Sequence, residues 1–263
     1  MRILIILFFL INTNLIIAQE KKVYVVYEIT NVSVGTPIYV KAKLFINEKI
    51  SLYTIDPKDT KYKKNEKAIF NEKDNTVKKI TYKSSKNIFF LVTDRHKDSI
   101  EQTSGSDSFR FIIKEKIYPF NWVLQNETKL IGKFKCKKAT TYFRGRNYIA
   151  WYSPEIPINS GPWKFSGLPG LILELKDFNN LFTWKTQTIV YPYQEQIDIN
   201  IPNESELNKV EIKEYVSLKG QNSENYASII KSKKPKGSEF TDIKIKRQGI
   251  ELIYEWEEEL DKK

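Results

Sequence analysis

The chain has 263 residues, 41% apolar and 13% aromatic, and its 43 lysines and arginines against 32 aspartates and glutamates give a formal net charge of +11. Ten glycines and ten prolines are too few for a disordered chain, and a single cysteine excludes an intramolecular disulfide, so the fold must rest on packing. The lysines are spread along the whole sequence and only six of the basic residues are arginine, a poor composition for bidentate phosphate recognition; nucleic acid is not an expected partner.

The chain opens with Met1-Arg2, then nine apolar residues from Ile3 to Ile11, a polar break at Asn12-Thr13-Asn14, and Leu15-Ile16-Ile17-Ala18-Gln19. A basic start, a short apolar run and a small residue before a polar stretch are the parts of a secretory signal peptide, with cleavage expected after Ala18. The run is shorter than the ~20 residues needed to span a bilayer. The only cysteine is Cys136, far from Ala18, which argues against an N-terminal lipid anchor. The mature chain is therefore expected to be exported, not membrane-spanning, and to work in the periplasm.

Beyond the signal, apolar residues recur with a period of two, the strand signature. Strands are predicted over Lys22–Thr30, Ile38–Ile46 and Ile50–Ile55. Residues 56–76, beginning Asp56-Pro57 and rich in Lys, Asn and Glu, read as a mobile exposed loop. Further strands are predicted over Val77–Tyr82, Asn87–Thr93, Phe109–Lys116, Lys133–Phe143, Asn147–Ser153, Leu171–Asp177 and Phe182–Val190. Arg144-Gly145-Arg146 and Asn179-Asn180 are expected to close hairpins, because glycine and asparagine tolerate left-handed backbone angles. One helix is predicted after the Asn222-Ser223 cap, with Tyr226, Ile229 and Ile230 on one face, and a weaker one over Ser205–Tyr215. The stretch Thr241–Trp256 alternates again and then turns acidic. Without an internal repeat or linker, residues 19–263 read as one mainly β domain, built on a curved antiparallel sheet, part-open barrel or sandwich with one or two short helices.

Chemistry-bearing residues are sparse. His96 is the only histidine and sits among Asp94, Arg95, Lys97 and Asp98, the composition of an exposed turn. Cys136 is flanked by Lys135, Lys137 and Lys138, cations that lower a thiol pKa. On a strand, however, Phe134 and Cys136 point inward while Lys135 and Lys137 face water. Nothing sets two carboxylates on one inward face, and no catalytic residue, metal site or cofactor is expected. Tyr142 to Phe165 holds seven aromatics in 24 residues together with Arg144 and Arg146. Rings supply contact area and arginine supplies directed donors, so Arg144, Arg146, Trp151, Tyr152 and Trp163 form a candidate binding surface.

Gly167-Leu168-Pro169-Gly170-Leu171-Ile172 has a clear local reading. Proline fixes φ at the first central position and glycine supplies φ > 0 at the second, which suits a type II turn entering a buried strand. With these six residues the chain resembles the GLPGLI family of exported Bacteroidota proteins. Cys136, Ala139, Gly145-Arg146, Ala150-Trp151-Tyr152, Ile156-Pro157, Gly161-Pro162 and Phe165 fit the family pattern. Gly249-Ile250-Glu251-Leu252 is similar to its closing Asn-Pro-Ile-Glu element, with Gln248-Gly249 in place of Asn-Pro. The resemblance implies a signal peptide, a periplasmic or outer-membrane-associated location and a β-rich domain; it carries no catalytic residues. The expected function is a non-enzymatic periplasmic binding or accessory protein of the envelope, with an outer-membrane protein, a peptide or a lipid-like molecule as partner. Two alternatives remain open from the sequence: a thiol-dependent enzyme or hydrolase centred on Cys136, and a basic surface protein that binds acidic polysaccharide.

Overall fold

A computed structural model describes residues 22–33, 37–47, 49–62, 68–71, 76–79, 87–104, 110–196, 199, 204–221, 247 and 249–258, with the backbone alone for 61, 62, 68–71 and 76–79. The strands in chain order are β1 (Val23–Asn31), β2 (Ile38–Ile46), β3 (Ile50–Tyr62), β4 (Ala68–Asn71), β5 (Thr76–Lys79), β6 (Phe89–Asp94) and β7 (Ser99–Thr103). They continue with β8 (Phe111–Lys116), β9 (Val123–Ile131), β10 (Phe134–Phe143), β11 (Arg146–Ser153), β12 (Leu171–Asp177), β13 (Phe182–Val190) and β14 (Asn208–Glu211). Helix α1 occupies described residues 212–221, and α2 is a single turn, Glu255–Glu258. Among the described residues no helix is long and apolar enough to cross a membrane.

The mainly β expectation is met, and the architecture is one open sheet. Twelve strands run in the order β14-β8-β7-β6-β3-β2-β1-β13-β12-β11-β10-β9, and β4-β5 form a separate hairpin. Every pairing in the large sheet is antiparallel except β14 on β8. The chain starts in the middle, meanders outward to β8, and restarts at the far edge with β9 before returning to β1. Laid flat, β8 and β9 would stand ~48 Å apart at ~4.8 Å per strand. Residues 117–122 join them, a span of at most ~25 Å. The sheet must therefore curl, and the connector crosses its concave side.

The predicted alternation sets which face turns inward. Val23, Val25, Tyr27 and Ile29 are buried along β1 while the residues between them are half-buried. Trp184, Tyr27, Tyr53, Tyr148, Phe143 and Phe165 are the largest wholly buried side chains. Their polar tips are paired: the Tyr27 hydroxyl donates to the Ile172 carbonyl at 2.6 Å, and Trp184 Nε1 donates to the Tyr53 hydroxyl at 3.1 Å. The concave side is filled by the connector and by the segment between β11 and β12. Phe120 and Phe165 stack at 5.0 Å, and Tyr118 meets Phe143 edge-on at 4.8 Å.

Several expectations are corrected. Residues 56–76 are not one loop: β3 continues through Asp56-Pro57 to Tyr62, and β4 and β5 form a hairpin. Thr60 pairs with Val40 and Ile55 with Ala42, so Pro57 lies in a bulge where no ladder donor is required of it. Strands β7, β9 and β14 escape the apolar pattern. Ser99–Thr103 has one large apolar residue, β9 is exposed along most of its length, and Asn208–Glu211 has one inward position. Ser205–Tyr215 is a 3-10 turn (Glu204–Glu206), then β14, then the start of α1. The helix predicted after Asn222 and most of the stretch from Thr241 lie outside the described residues, and residues 249–258 form no strand.

Candidate functional site at the Arg144-Gly145 turn

Strands β10 and β11 pair in register from Lys137↔Tyr152 to Phe143↔Arg146, leaving Arg144 and Gly145 as a two-residue loop. Both have positive φ, 43° and 86°, the geometry whose twist matches a right-handed hairpin. Residues 249–254 pass over this turn as an extended strap that ends in α2. The Arg144 carbonyl accepts from the Leu252 N–H at 2.9 Å and the Ile253 N–H at 3.4 Å. A Cβ on Gly145 would stand 2.9 Å from the Leu252 Cβ, so glycine is required both for the backbone angle and for the approach of the strap.

Beneath the strap lies a cluster of five charged side chains drawn from four places in the chain. Arg144 is 5% exposed; Nε donates to Glu255 Oε1 at 2.9 Å, Nη2 to Glu115 Oε2 at 2.8 Å, and Nη1 to Glu251 Oε1. Lys164, 1% exposed, pairs with Glu251 Oε1 at 2.9 Å and with Glu115 Oε1. Glu115 is 3% exposed, Glu251 14% and Glu255 40%. Buried charge is tolerated only when paired and hydrogen-bonded, and here each ion faces at least one opposite charge. The Arg144 guanidinium also lies between two rings, 5.1 Å from Phe143 and 4.7 Å from Tyr254. Burial alone would raise the Glu251 carboxyl, but Lys164 and Arg144 outweigh it and hold the group below the usual carboxylate value. Burial alone would lower Arg144, and Glu251 and Glu115 more than reverse that.

Arg146 completes the grip. Nε and Nη2 donate to the Gly249 carbonyl at 3.1 and 2.7 Å, while Nη1 lies 3.5 Å from buried Asp177. The Tyr148 hydroxyl donates to the Ile250 carbonyl at 3.3 Å. Each residue of Arg144-Gly145-Arg146 thus has a task directed at the strap.

Of the five candidate surface residues, the structure brings three together. Arg144 and Arg146 hold the strap, and Trp163 adjoins them, 5.9 Å from Phe143 and with Lys164 Nζ 4.8 Å from its ring. Trp151 and Tyr152 lie elsewhere. Trp151 sits under Lys129 Nζ at 4.5 Å, and that lysine also pairs with Glu174 at 2.7 Å. Tyr152 is buried in the core. The five do not make one exposed surface, because alternation sends neighbouring residues to opposite faces and the strap covers both arginines. Glu115, Lys164, Glu251, Glu255 and Tyr254 were not singled out from the sequence. One signal could have found Glu115: it follows Phe111 and Ile113 at a period of two, so a carboxylate stands in an inward phase.

The segment 167–172 is shaped differently from the expected type II turn. The Gly170 N–H donates to the Leu168 carbonyl at 2.8 Å, closing a three-residue turn on Pro169, and the Leu171 N–H reaches across to Ile156 at 3.0 Å. Gly170 has φ 152°, and a Cβ there would lie 2.2 Å from the Ser153 carbonyl oxygen. Trp122 Nε1 donates to the Ser166 carbonyl at 2.7 Å, and the Gly167 N–H to Asn159 Oδ1. This loop is a plug: Ile156, Phe165 and Leu168 are buried inside the curl of the sheet.

The remaining candidates are placed as their neighbours suggested. His96 is exposed in the β6–β7 turn. Cys136 is wholly buried between exposed Lys135 and Lys137. Burial pushes its thiol up to about 11 despite Lys129, the reverse of activation.

Comparison with known proteins adds fold and a partial family match. Two crystal structures of PNGF-II, in space groups C2 and P21, share the fold with a TM-score of 0.50 each, at 15% and 14% identity. The alignment covers 75% of this chain and 32% of theirs, so the chain spans about a third of their length. No curated protein matches the chain. Residues 144–174, which run from the Arg144-Gly145 turn through the plug into β12, match the family described as "Protein of unknown function (Porph_ging)".

Proposed function

We propose that the chain is an exported, non-catalytic binding or accessory protein of the cell envelope, of the GLPGLI type, that works in the periplasm by holding polypeptide. One observation carries this reading: among the described residues, a buried cluster of five ionisable groups is directed at a peptide strap. Arginine and lysine side chains receive its carboxylates, and arginine and tyrosine receive its main-chain carbonyls. That is an arrangement for capture, in which each charge already has a fixed partner, rather than one poised to exchange protons with a substrate. The apolar run from Ile3 to Ile11 supports export. The sealed, upshifted Cys136 weighs against the thiol-dependent alternative.

Two measurements on the native protein test the reading. N-terminal sequencing of the protein from fractionated cells is expected to begin near Gln19 and to find it in the periplasmic fraction. A cytoplasmic form that retains Met1 would overturn export. Chemical cross-linking in intact envelopes is expected to join the chain reproducibly to another protein. Cross-links confined to the chain itself would overturn the binding reading.

A further inference from the structure

The strap meets the sheet as a bound peptide meets a receptor. The body supplies two buried cations, Arg144 and Lys164, and one buried carboxylate, Glu115, which leaves one positive charge in excess until Glu251 enters. Around that charge stand main-chain contacts in both directions. Arg146 and Tyr148 receive the carbonyls of Gly249 and Ile250, and the Arg144 carbonyl receives the Leu252 N–H. An aromatic position follows, where Tyr254 lies on the guanidinium. Gly145 leaves room for the backbone. The strap itself adds no strand to the sheet, so its departure would break no ladder hydrogen bond.

We infer that this is a recognition site for an extended acidic peptide of the pattern Gly-apolar-Glu-apolar-apolar-aromatic, that residues 249–254 are its resident occupant, and that a partner's segment of the same chemistry can replace them. The inference rests on the binding reading and names the partner's chemistry. Charge selects the occupant: the body's excess cation requires a carboxylate, and burial penalises a neutral substitute that leaves the cation unpaired. Pattern selects it further, because the glutamate must meet an edge and the ring a face of the same guanidinium. A resident occupant on the same chain competes at high effective concentration, so an external peptide binds measurably once the resident is weakened.

The test uses the full-length chain and a fluorescent synthetic peptide with the sequence of residues 249–258. Anisotropy titrations are made with the wild type, Glu251→Gln and Tyr254→Ala, each checked by circular dichroism. Tyr254→Ala loosens the strap while leaving every buried charge paired, so it remains informative if Glu251→Gln fails to fold. Binding is expected to be at least ~10-fold tighter to the variants than to the wild type. A peptide with glutamine at the position of Glu251 is expected to bind at least ~10-fold more weakly. A folded Tyr254→Ala chain that binds no peptide, or binds both peptides equally, would overturn the inference. If cross-linked envelope partners persist in that case, only the peptide site falls; if they too are absent, the binding reading falls with it.

Discussion

The turn at Arg144-Gly145 and the turn at Pro169-Gly170 each need glycine because another part of the chain passes close by, but what passes differs. At Gly170 it is the backbone of Ser153 and Pro154, where β11 leaves the sheet, and the contact is closed by main-chain bonds and apolar burial. At Gly145 it is the strap, fastened by ions and a few directed hydrogen bonds. The first contact belongs to the core and should fail only when the sheet fails. The second also seats Ile250 and Tyr254 on apolar neighbours, but its buried charges respond to pH, so it should open before the sheet does.

The largest way to break this contrast is Gly170→Ala. The new methyl would meet a carbonyl oxygen at 2.2 Å and a carbonyl carbon at 2.6 Å, both backbone and unable to swing aside. The expected cost is ~4 kcal/mol or more, read as a collapse of the urea midpoint of the whole sheet. A near-native midpoint would show that the β11 corner yields more than packing allows.

Arg144→Met comes next, with an expected loss of ~3–5 kcal/mol, because Glu115, Glu251 and Glu255 would keep only Lys164 among them. Urea unfolding followed by far-ultraviolet circular dichroism measures it. A loss below ~1 kcal/mol would mean that the cluster is solvated as a surface ion pair is.

Gly145→Ala is expected to act on the strap and on the β10–β11 turn that it crosses, not on mid-β12. The positive φ and the 2.9 Å approach to Leu252 suggest ~1–2 kcal/mol. Hydrogen exchange should then show faster opening of the Leu252 amide with little change at Leu175 in mid-β12. Equal acceleration at both sites would erase the distinction between latch and core.

Lowering pH sharpens the same comparison in the unaltered chain. The Glu251 carboxyl is held below its ordinary value when the strap is docked, so the docked state binds fewer protons than the released one. Its contribution is complete above the unfolded carboxylate range, near ~4.3, and is lost as pH falls through the depressed folded value. Protection at Leu252 is expected to fall on acidification before protection at Leu175. Simultaneous loss would show that strap and sheet form one cooperative unit. The smallest effect is expected from Gly132→Ala at the β9–β10 turn, where nothing stands within 4 Å and only the φ of 58° opposes the change, at ~1 kcal/mol.

Much of the sheet was legible from alternation. Ile38–Ile46, Leu171–Asp177 and Phe182–Val190 coincide with their predicted ranges: the first and last alternate over a buried face, and the middle one opens on a continuous apolar run buried on both faces. Both predicted hairpins form, with Asn180 at φ 54° as its residue type suggested. Edge strand β9 was not legible: Val123, Leu124 and Leu130 are exposed, so no buried face wrote itself into the pattern. Strand β3 beyond Ile55 was hidden by a proline whose bulge the partner strand creates. At the site, the sequence offered Arg144, Arg146 and Trp163 but could not supply their partners. Glu115 lies 29 residues away from Arg144 and Glu251 lies 107 away, and nothing local connects residues so distant.

By itself the sequence determined the class of fold, the glycine of the β10–β11 turn, and the inward phase of Cys136, since each follows from period, backbone sterics or the cost of burying charge. Only the tertiary structure decided that the sheet stays open and curls over its own connector, that Pro169-Gly170 belongs to a plug, and that the arginine-rich turn faces a strap instead of solvent. Those outcomes depend on which distant segments arrive at one place, and there the energy of a buried ion is set by neighbours that its own stretch of sequence does not contain.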